Sequence, residues 1–504
     1  MNRKIILVLA LVFILTVLFV HNYSIRPWML DDAFISFRYA ENFAAGHGPV
    51  FNPGERVEGY TTFLWVALLA AGKALGLKVV SLSQHLGALF ALATIALLIF
   101  AYRFSKLISA KTSLLAALFL GSCGVFTPWP ASGMEVMLFT FLVLLSLLFH
   151  FYLAEKEDPR PKQLLFLGLF LALAALTRPE GLLIAALVLA ERLAKIRRSP
   201  RQNFVLPFLA LAAIYLPYFA WRFAYYGYLL PNTFYTKVGS SAEQIARGIV
   251  YLRDFLSPAF LLAAIALLPF LTLRWFRTFR NLSLIPIVLA FYTAYIVVVG
   301  GDIMPAFRFF TPLLPLLCLL AGISLDSLPG PKKAVAIVGI VVSMAVVLYN
   351  LHEIRHDHHI SYRIKIDQVA ARGREVGIWL RLNSRSGAVL ATNTAGSIPY
   401  FSRLKTIDML GLNDLHIAHR PIADLGKGRA GHEKGDGVYV LSRRPDYVHM
   451  GSSLGSVRPD HDFLGDEEIF AQPLFHRLYE LKTVALPSGM QLNIYRKKRQ
   501  QTND

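Results

Sequence analysis

The chain has 504 residues with 51 Lys and Arg against 32 Asp and Glu, a formal charge of +19, yet only 16% of its residues are charged and 55% are apolar. A soluble enzyme of this size carries about a quarter charged residues, a disordered chain holds far fewer large apolar ones, and two cysteines exclude a disulfide scaffold. The basic excess accompanies a mean hydropathy of +0.50. It therefore points to a membrane and not to nucleic acid.

Composition changes near residue 351. Residues 1–351 hold 29 basic and 15 acidic residues, whereas residues 352–504 hold 22 and 17, with ten of the fourteen histidines. The first part reads as a polytopic α-helical membrane domain and the second as a soluble domain of ordinary size. Apolar runs at 5–20, 83–102, 113–127, 135–154, 163–177, 180–194, 204–221, 257–273, 282–299, 308–325 and 334–350 predict about eleven transmembrane helices. HNYSIRPW follows the first run without a small-residue cleavage site, so that run is expected to be an uncleaved anchor.

Charge sets the direction. With Met1–Lys4 inside, the segments Arg103–Lys111, Glu155–Lys162, Glu191–Arg201, Arg274–Arg280 and Asp326–Lys333 are all inner, short and basic. A twelfth run, 62–77, would invert them if it crossed, so a helix lying on the outer leaflet or re-entering it is expected there. An odd number of spans leaves residues 352–504 outside. In a bacterium this means the inner membrane, a cytoplasmic N-terminus and a periplasmic C-terminal domain.

The outer segments hold the chemistry. The long first loop (residues 21–82) carries Asp31 and Asp32 at the start of a helical stretch, followed by Arg38, Glu41, His47, Arg56, Glu58 and Tyr60. Tandem carboxylates are common helix starters, and Phe34, Phe37 and Phe43 are expected against lipid. Later outer segments repeat the mixture: SGMEV carries Glu135, TRPEG carries Arg178 and Glu180, RFAYYGYLLPNTFYTKVG carries Arg222, Asn232, Tyr235 and Lys237, and GGDIMPAFRFF carries Asp302 and Arg308. Each ionisable residue alone reads as interfacial snorkelling. Five outer segments bearing such groups predict a polar cavity. A carboxylate there can take a proton from a hydroxyl or bind a divalent cation. Arginines and Lys237 can hold a phosphate, and Trp28, Trp65, Trp129, Tyr60 and Tyr235 offer flat faces to a sugar or form an interfacial belt. Together these groups suit transfer from a phosphate-linked lipid donor.

The first loop, DDAFISFRYAENFAAGHGPVFNPGERVEGYTTFLW, resembles the corresponding loop of GT-C glycosyltransferases, particularly the arabinofuranosyltransferases of bacterial cell envelopes. ASGMEV, ALTRPEG, YYGYLLPNTFYTK, GGDIMPAFRFFTPLLPLL and IDMLGLND look like further elements of that group in the same order, so the resemblance spans residues 1 to about 420. It implies a polyprenyl-phosphate sugar donor, an outward-facing site and an essential carboxylate in the first loop, here Asp31 or Asp32. It also implies a donor or phosphate pocket shaped by Arg38, His47, Arg56 and Glu58, with an envelope glycan, glycolipid or protein as acceptor. The plain Asp-Asp leaves metal dependence, on Mg or Mn, open.

Residues 352–504 alternate apolar strands and helices. Strands are expected at 387–392, 404–408, 446–450, 478–486 and 491–496, with helices near 367–382, 413–419 and 463–471, a small α/β or α+β domain. Asn393, Asp408, Asn413 and Asp414 fall at strand ends, where such domains bind ligands and where turn chemistry also places these residue types. An acceptor-binding or capping role follows from the resemblance. His352, His356, His358 and His359 read as a solvated linker better than as a metal site, and RKKRQQTND as a frayed basic tail. A lipid-linked glycan transporter or flippase, a ligase or polymerase using a diphosphate-linked donor, and a glycan-binding scaffold are the other readings. Ionisable residues gathered on one side, without an evident internal repeat, favour the transferase over the transporter.

Overall fold

The computed structural model describes residues 12–17, 20, 28–197, 200–239, 241–268, 282–328, 331–422 and 425–498. Most of the first expected span, the start Met1–Lys4, the inner segment Arg274–Arg280 and the tail beyond residue 498 lie outside the described residues. Two compact units emerge. One is built from Ser83–Trp221 and Ala246–Ile366 with the described N-terminal residues, the other from Pro27–Leu82, Arg222–Ile245 and the chain from Asp367 onward.

The first unit is helical. Each of the ten apolar runs after the first contains a helix, and among the described residues six helical stretches are long and apolar enough to cross a membrane: Val79–Ile99, Val136–Ala154, Gln202–Tyr226, Ala242–Leu267, Pro305–Asp326 and Lys333–His356. Ala110–Ser122, Pro161–Thr177, Gly181–Ala194 and Leu284–Val298 are shorter, so six spans are set by length and composition and the figure of eleven is not. The 113–127 run stops being helical at Ser122, where extended Cys123 turns the chain ahead of Pro128. Pro305–Leu313 begins as a 3-10 stretch broken at Ala306 and Phe307, whose φ values of 53° and 50° are left-handed and costly for residues with a Cβ.

The second unit gathers segments far apart in sequence. Its helix α1 (Asp31–Ala44) packs on α2 (Phe63–Ala74). Twelve residues rise about 18 Å against a hydrocarbon layer of ~30 Å, which groups α2 with the shorter apolar helices of the first unit. Phe34 and Phe37, expected against lipid, are instead buried. Phe34 sits 5.4 Å and 5.3 Å from the rings of Tyr400 and Phe401, and Phe37 lies 6.1 Å from Tyr400. The apolar stripe of α1 thus faces protein, a partner that helical periodicity alone cannot name.

Strands are found at β1 (Val389–Thr392), β2 (Lys405–Asp408), β3 (Tyr447–His449), β4 (Tyr479–Ala485) and β5 (Gln491–Lys497), each within two residues of its expected bounds. The sheet order is β2-β1-β3-β5-β4, with β2, β1 and β3 parallel and β5 antiparallel to both β3 and β4. Alternate side chains enter two cores. Leu390, Tyr447 and Ile494 join Val376, Leu380 and Ile398 on one face, while Ala391, Val448 and Tyr495 join Ile417, Val440, Ile469 and Phe475 on the other. Helix α3 (Val369–Asn383) and α4 (Ser397–Ser402) cover the first face.

This sheet binds the first loop closely. Buried Arg38 donates from Nε to Phe51 O (2.7 Å), from Nη1 to Pro399 O (2.6 Å) and from Nη2 to Asn52 Oδ1 and Leu404 O (3.0 and 2.7 Å). Asn52 exchanges bonds with the backbone of Thr406. The compact unit therefore takes in residues 27–82 and 222–245, and the boundary near residue 351 marks a change in composition rather than the full extent of the unit.

Candidate active site

The expected residues fall into two sets, one inside each unit. In the first unit Arg178 is forked between two carboxylates, reaching Glu135 at 2.5 Å and Glu180 at 2.8 Å. Arg308 pairs with Asp302 at 2.7 Å. Both guanidinium groups lie over Phe309, at 5.2 Å and 5.1 Å from its centroid. Three short segments, SGMEV, TRPEG and GGDIMPAFRFF, thus converge, and both arginines are matched by acids. A phosphate would have to displace a carboxylate to reach either one.

In the second unit the tandem aspartates separate by role. Asp31 lies against the loop after β1, at the C-terminal edge of the parallel strands. Its carboxylate accepts from Gly396 N (3.0 Å), Ser397 N (2.8 Å) and Ser397 Oγ (2.5 Å). Burial pushes its pKa up to about 6, opposed by the bonds from Ser397 and Gly396 and assisted by the neighbouring Asp32 charge. The glycine is obligatory for this fit, since a Cβ at Gly396 would stand 2.0 Å from Asp31 O and 2.5 Å from its Oδ2. Asp32, one residue on and partly exposed, carries no hydrogen bond or ion pair among the described residues.

A glycine-rich segment, 426–433, bears charge near Asp32. Partly buried His432 feels the charges of Arg429, Asp32 and Lys237. Burial first, then Arg429, brings that ring down to about 4, so it is neutral at pH 7. The Lys237 stem approaches Gly431, whose added Cβ would lie 3.1 Å from Lys237 Cε. Glu433 Oε1 ties the loop by accepting from Gly426 N and Gly428 N at 2.8 and 2.6 Å. Lys237 and Arg429 have no acidic partner within 4.0 Å among the described residues, unlike Arg178, Arg222 and Arg308. The signal for this loop was present in GKGRAGH, a glycine-rich basic run.

The other expected donor residues have different tasks. Arg38 has four acceptors inside the protein, so it braces the loop and has no face open to a phosphate. His47 lies beyond the far end of α1 from the aspartate pair and is exposed. Arg56, also exposed, stacks 4.6 Å above Tyr225. Glu58 is paired with Arg222 at 2.5 Å in a site where both side chains are 5% exposed, and Arg222 also donates to Leu229 O. Tyr60 shares a hydrogen bond with Tyr226 at 3.2 Å.

The strand-end residues form a buried floor. Asp408 accepts from Leu410 N, Asn413 N and Asn413 Nδ2 at 3.0, 2.8 and 2.9 Å, and burial raises it to about 6. Tyr39 donates to Val57 O and approaches Asn413 Oδ1. Asn232 Nδ2 donates to Gly411 O and Leu412 O, and the Tyr235 ring lies 4.4 Å from that of His419. Asp414 caps the short helix Leu415–His419 through Ile417 N. Asn393 donates to Asp466 at 2.8 Å, which also accepts from Gly451 N. For Asp408, Asn413 and Asp414, turn and cap bonding account for the observed positions.

Among the described residues no three His, Cys, Asp or Glu side chains come together as a metal-binding set. The Asp31 oxygens already face N–H and O–H donors, and His352 and His356 stack on each other at 4.4 Å.

Comparison with known proteins bears on the fold. Residues 354–498 match a family model described as a domain of unknown function (DUF8728). The chain is 31% identical over 247 residues to a terminal β-(1→2)-arabinofuranosyltransferase of Mycobacterium tuberculosis, covering 46% of this chain and 38% of that protein. It is 30% identical over 346 residues to the protein of the same name from Corynebacterium glutamicum, covering 59% of this chain and 48% of that one. The chain thus spans less than half the length of these curated relatives. Among solved structures, ArnT from Cupriavidus metallidurans bound to undecaprenyl phosphate superposes with a TM-score of 0.56 at 15% identity, covering 81% of this chain and 86% of ArnT. The likeness is one of fold, which this chain shares with ArnT.

Proposed function

We propose that this protein is a membrane glycosyltransferase that moves arabinofuranose or a similar pentose from a polyprenyl-phosphate donor to a glycan, lipid or protein of the cell envelope. The reaction takes place at the periplasmic face of the inner membrane, with about eleven spans carrying a periplasmic C-terminal domain. The relatives named arabinofuranosyltransferase support the sugar, and the undecaprenyl phosphate of ArnT supports the donor class. The observation that carries the reading is the division of labour between Asp31, held by three donors, and Asp32, which is free beside His432, Lys237 and Arg429.

The chemistry follows from these groups. The acceptor hydroxyl oxygen bonds to the anomeric carbon as the bond from that carbon to the phosphate oxygen breaks. The acceptor proton passes to the Asp32 carboxylate, and the electron pair leaves with the polyprenyl phosphate, whose charge grows from one towards two. Lys237 and Arg429, unmatched by acids, face that growing charge and stabilise it more than the bound donor. Neutral His432 adds no charge of its own. Asp31 shapes the site by fixing the first turn of α1 to the Gly396–Ser397 backbone. Direct displacement inverts the anomeric centre, and retention would require a second nucleophile.

Incubating the purified full chain with polyprenyl-phosphoryl arabinose and a panel of envelope glycan, lipid and peptide acceptors tests this reading. Pentose transfer to one acceptor class is expected. Translocation of the intact donor across vesicles without transfer would favour the flippase instead.

A further inference from the structure

The second unit holds another charged cavity, at the opposite end of α1. Glu41 lies ten residues after Asp31, about 15 Å along the helix axis. Around it opens a cavity of about 290 Å³ lined by Lys73, Lys78, Arg381, Tyr400 and Arg403. Glu41 is the one acid in the lining. It is bonded by Arg403, accepts from Tyr400 Oη at 2.7 Å, and has Lys73 at 3.6 Å. Lys78 and Arg381 have no acidic partner among the described residues. Four cations against one carboxylate leave the wall with a net charge of +3, with Lys73 in the last turn of α2 and Arg381 in the last turn of α3.

The rim is apolar. Leu75 and Leu77, between the two lysines, are 82% and 49% exposed, and Leu382, next to Arg381, is 75% exposed. Bare leucines beside unmatched cations are the pattern of an interfacial surface, where side chains enter the acyl boundary and ammonium or guanidinium groups meet phosphates. A water-soluble anion would need the cations and would have no use for the leucines.

We infer that this cavity binds the headgroup of an anionic phospholipid, with the phosphodiester against Lys78 and Arg381 and the acyl chains beside Leu75, Leu77 and Leu382. The shared chemistry is a phosphate ester, and the exposed leucines next to Lys78 and Arg381 in sequence assign its source to lipid. The site is separate from Asp32 and does not rest on the transfer reaction. Occupancy holds the C-terminal ends of α2 and α3 at the membrane surface.

The test uses the full chain in an uncharged detergent, titrated with phosphatidylglycerol or with phosphatidylcholine of the same acyl chains. Retained lipid is read by native mass spectrometry. Phosphatidylglycerol should be held at least tenfold more tightly. Lys78→Gln with Arg381→Gln should weaken it about thirty-fold, each interfacial cation contributing roughly a factor of five, while Lys482→Gln on β4 leaves it unchanged. Leu75→Ser with Leu382→Ser should also weaken retention, which keeps the proposal testable if the charge variant folds poorly. Equal retention of the two lipids, an unchanged preference in the charge variant, or sn-glycerol 3-phosphate binding as tightly as phosphatidylglycerol would overturn it.

Discussion

Replacing each aspartate separately by asparagine should give opposite outcomes. In Asp31→Asn the carboxylate that accepts from Ser397 N, Ser397 Oγ and Gly396 N is lost. An amide oxygen can keep the Ser397 bonds, but the amide nitrogen then opposes Gly396 N–H across 3.0 Å, donor against donor. Bonds to charged acceptors contribute about 1.5–3 kcal/mol each, and a buried donor left unpaired costs about 1–3 kcal/mol. A loss of about 2–3 kcal/mol follows, which lowers Tm by roughly 5–10 °C for a unit of this size. Asp32→Asn breaks no hydrogen bond, so stability should stay within about 0.5 kcal/mol of wild type. Transfer should nevertheless fall about 10²–10⁴-fold, the ordinary contribution of a general base. Thermal unfolding in detergent and sugar transfer from polyprenyl-phosphoryl arabinose, measured on both variants, separate these effects. Full transfer by Asp32→Asn, or a loss of Tm in Asp32→Asn equal to that in Asp31→Asn, would refute the assignment.

Arg38→Lys should lower stability by about 2–4 kcal/mol, because an ammonium cannot reach four acceptors arranged around a planar guanidinium; unchanged Tm with a raised donor KM would restore the donor-binding reading. Breaking the buried pair by Arg222→Met should cost about 3–5 kcal/mol, and adding Glu58→Leu should recover much of it, as read from a double-mutant cycle of Tm values. Asp466, raised to about 7 by burial, has a folded pKa above its unfolded one. Its contribution to stability is full below about pH 4 and is lost as pH rises through about 7. The Tm advantage of wild type over Asp466→Asn should therefore shrink by the equivalent of about 2 kcal/mol between pH 5 and 7. His432 and His449, both lowered to about 4 by burial, act in the opposite sense between pH 4 and 6.5. The comparison with the variant, and not the wild-type curve alone, isolates Asp466.

Much of the architecture was legible because its periodicities are strong. The five strands of the sheet could be located from short apolar runs bounded by Asn, Asp, Ser and Gly. Long apolar runs located the helices of the first unit, while runs of 13–17 residues gave no count of crossings. Burial partners were not legible. Phe34 and Phe37 look the same to a sequence whether lipid or Tyr400 covers them, and Arg38 in a loop of ionisable residues looks like a phosphate ligand until its four acceptors are seen. The aspartate pair could be found but not divided, because the division depends on Ser397, more than 360 positions away in the chain. His432 and Arg429 were overlooked for a related reason. Their loop has no periodicity, and its relation to Asp32 exists only after the C-terminal segment and the first loop have packed into one unit.

The central claim is that Asp32 drives cleavage of a polyprenyl-phosphate pentose. Release of free polyprenyl phosphate from radiolabelled donor, followed for the full chain and for Asp32→Asn in the presence of acceptor, tests it most directly. The account predicts release by the full chain in step with labelled product, and at least a hundredfold slower release by the variant. Equal release by the two proteins, or donor bound by both and cleaved by neither, would contradict it.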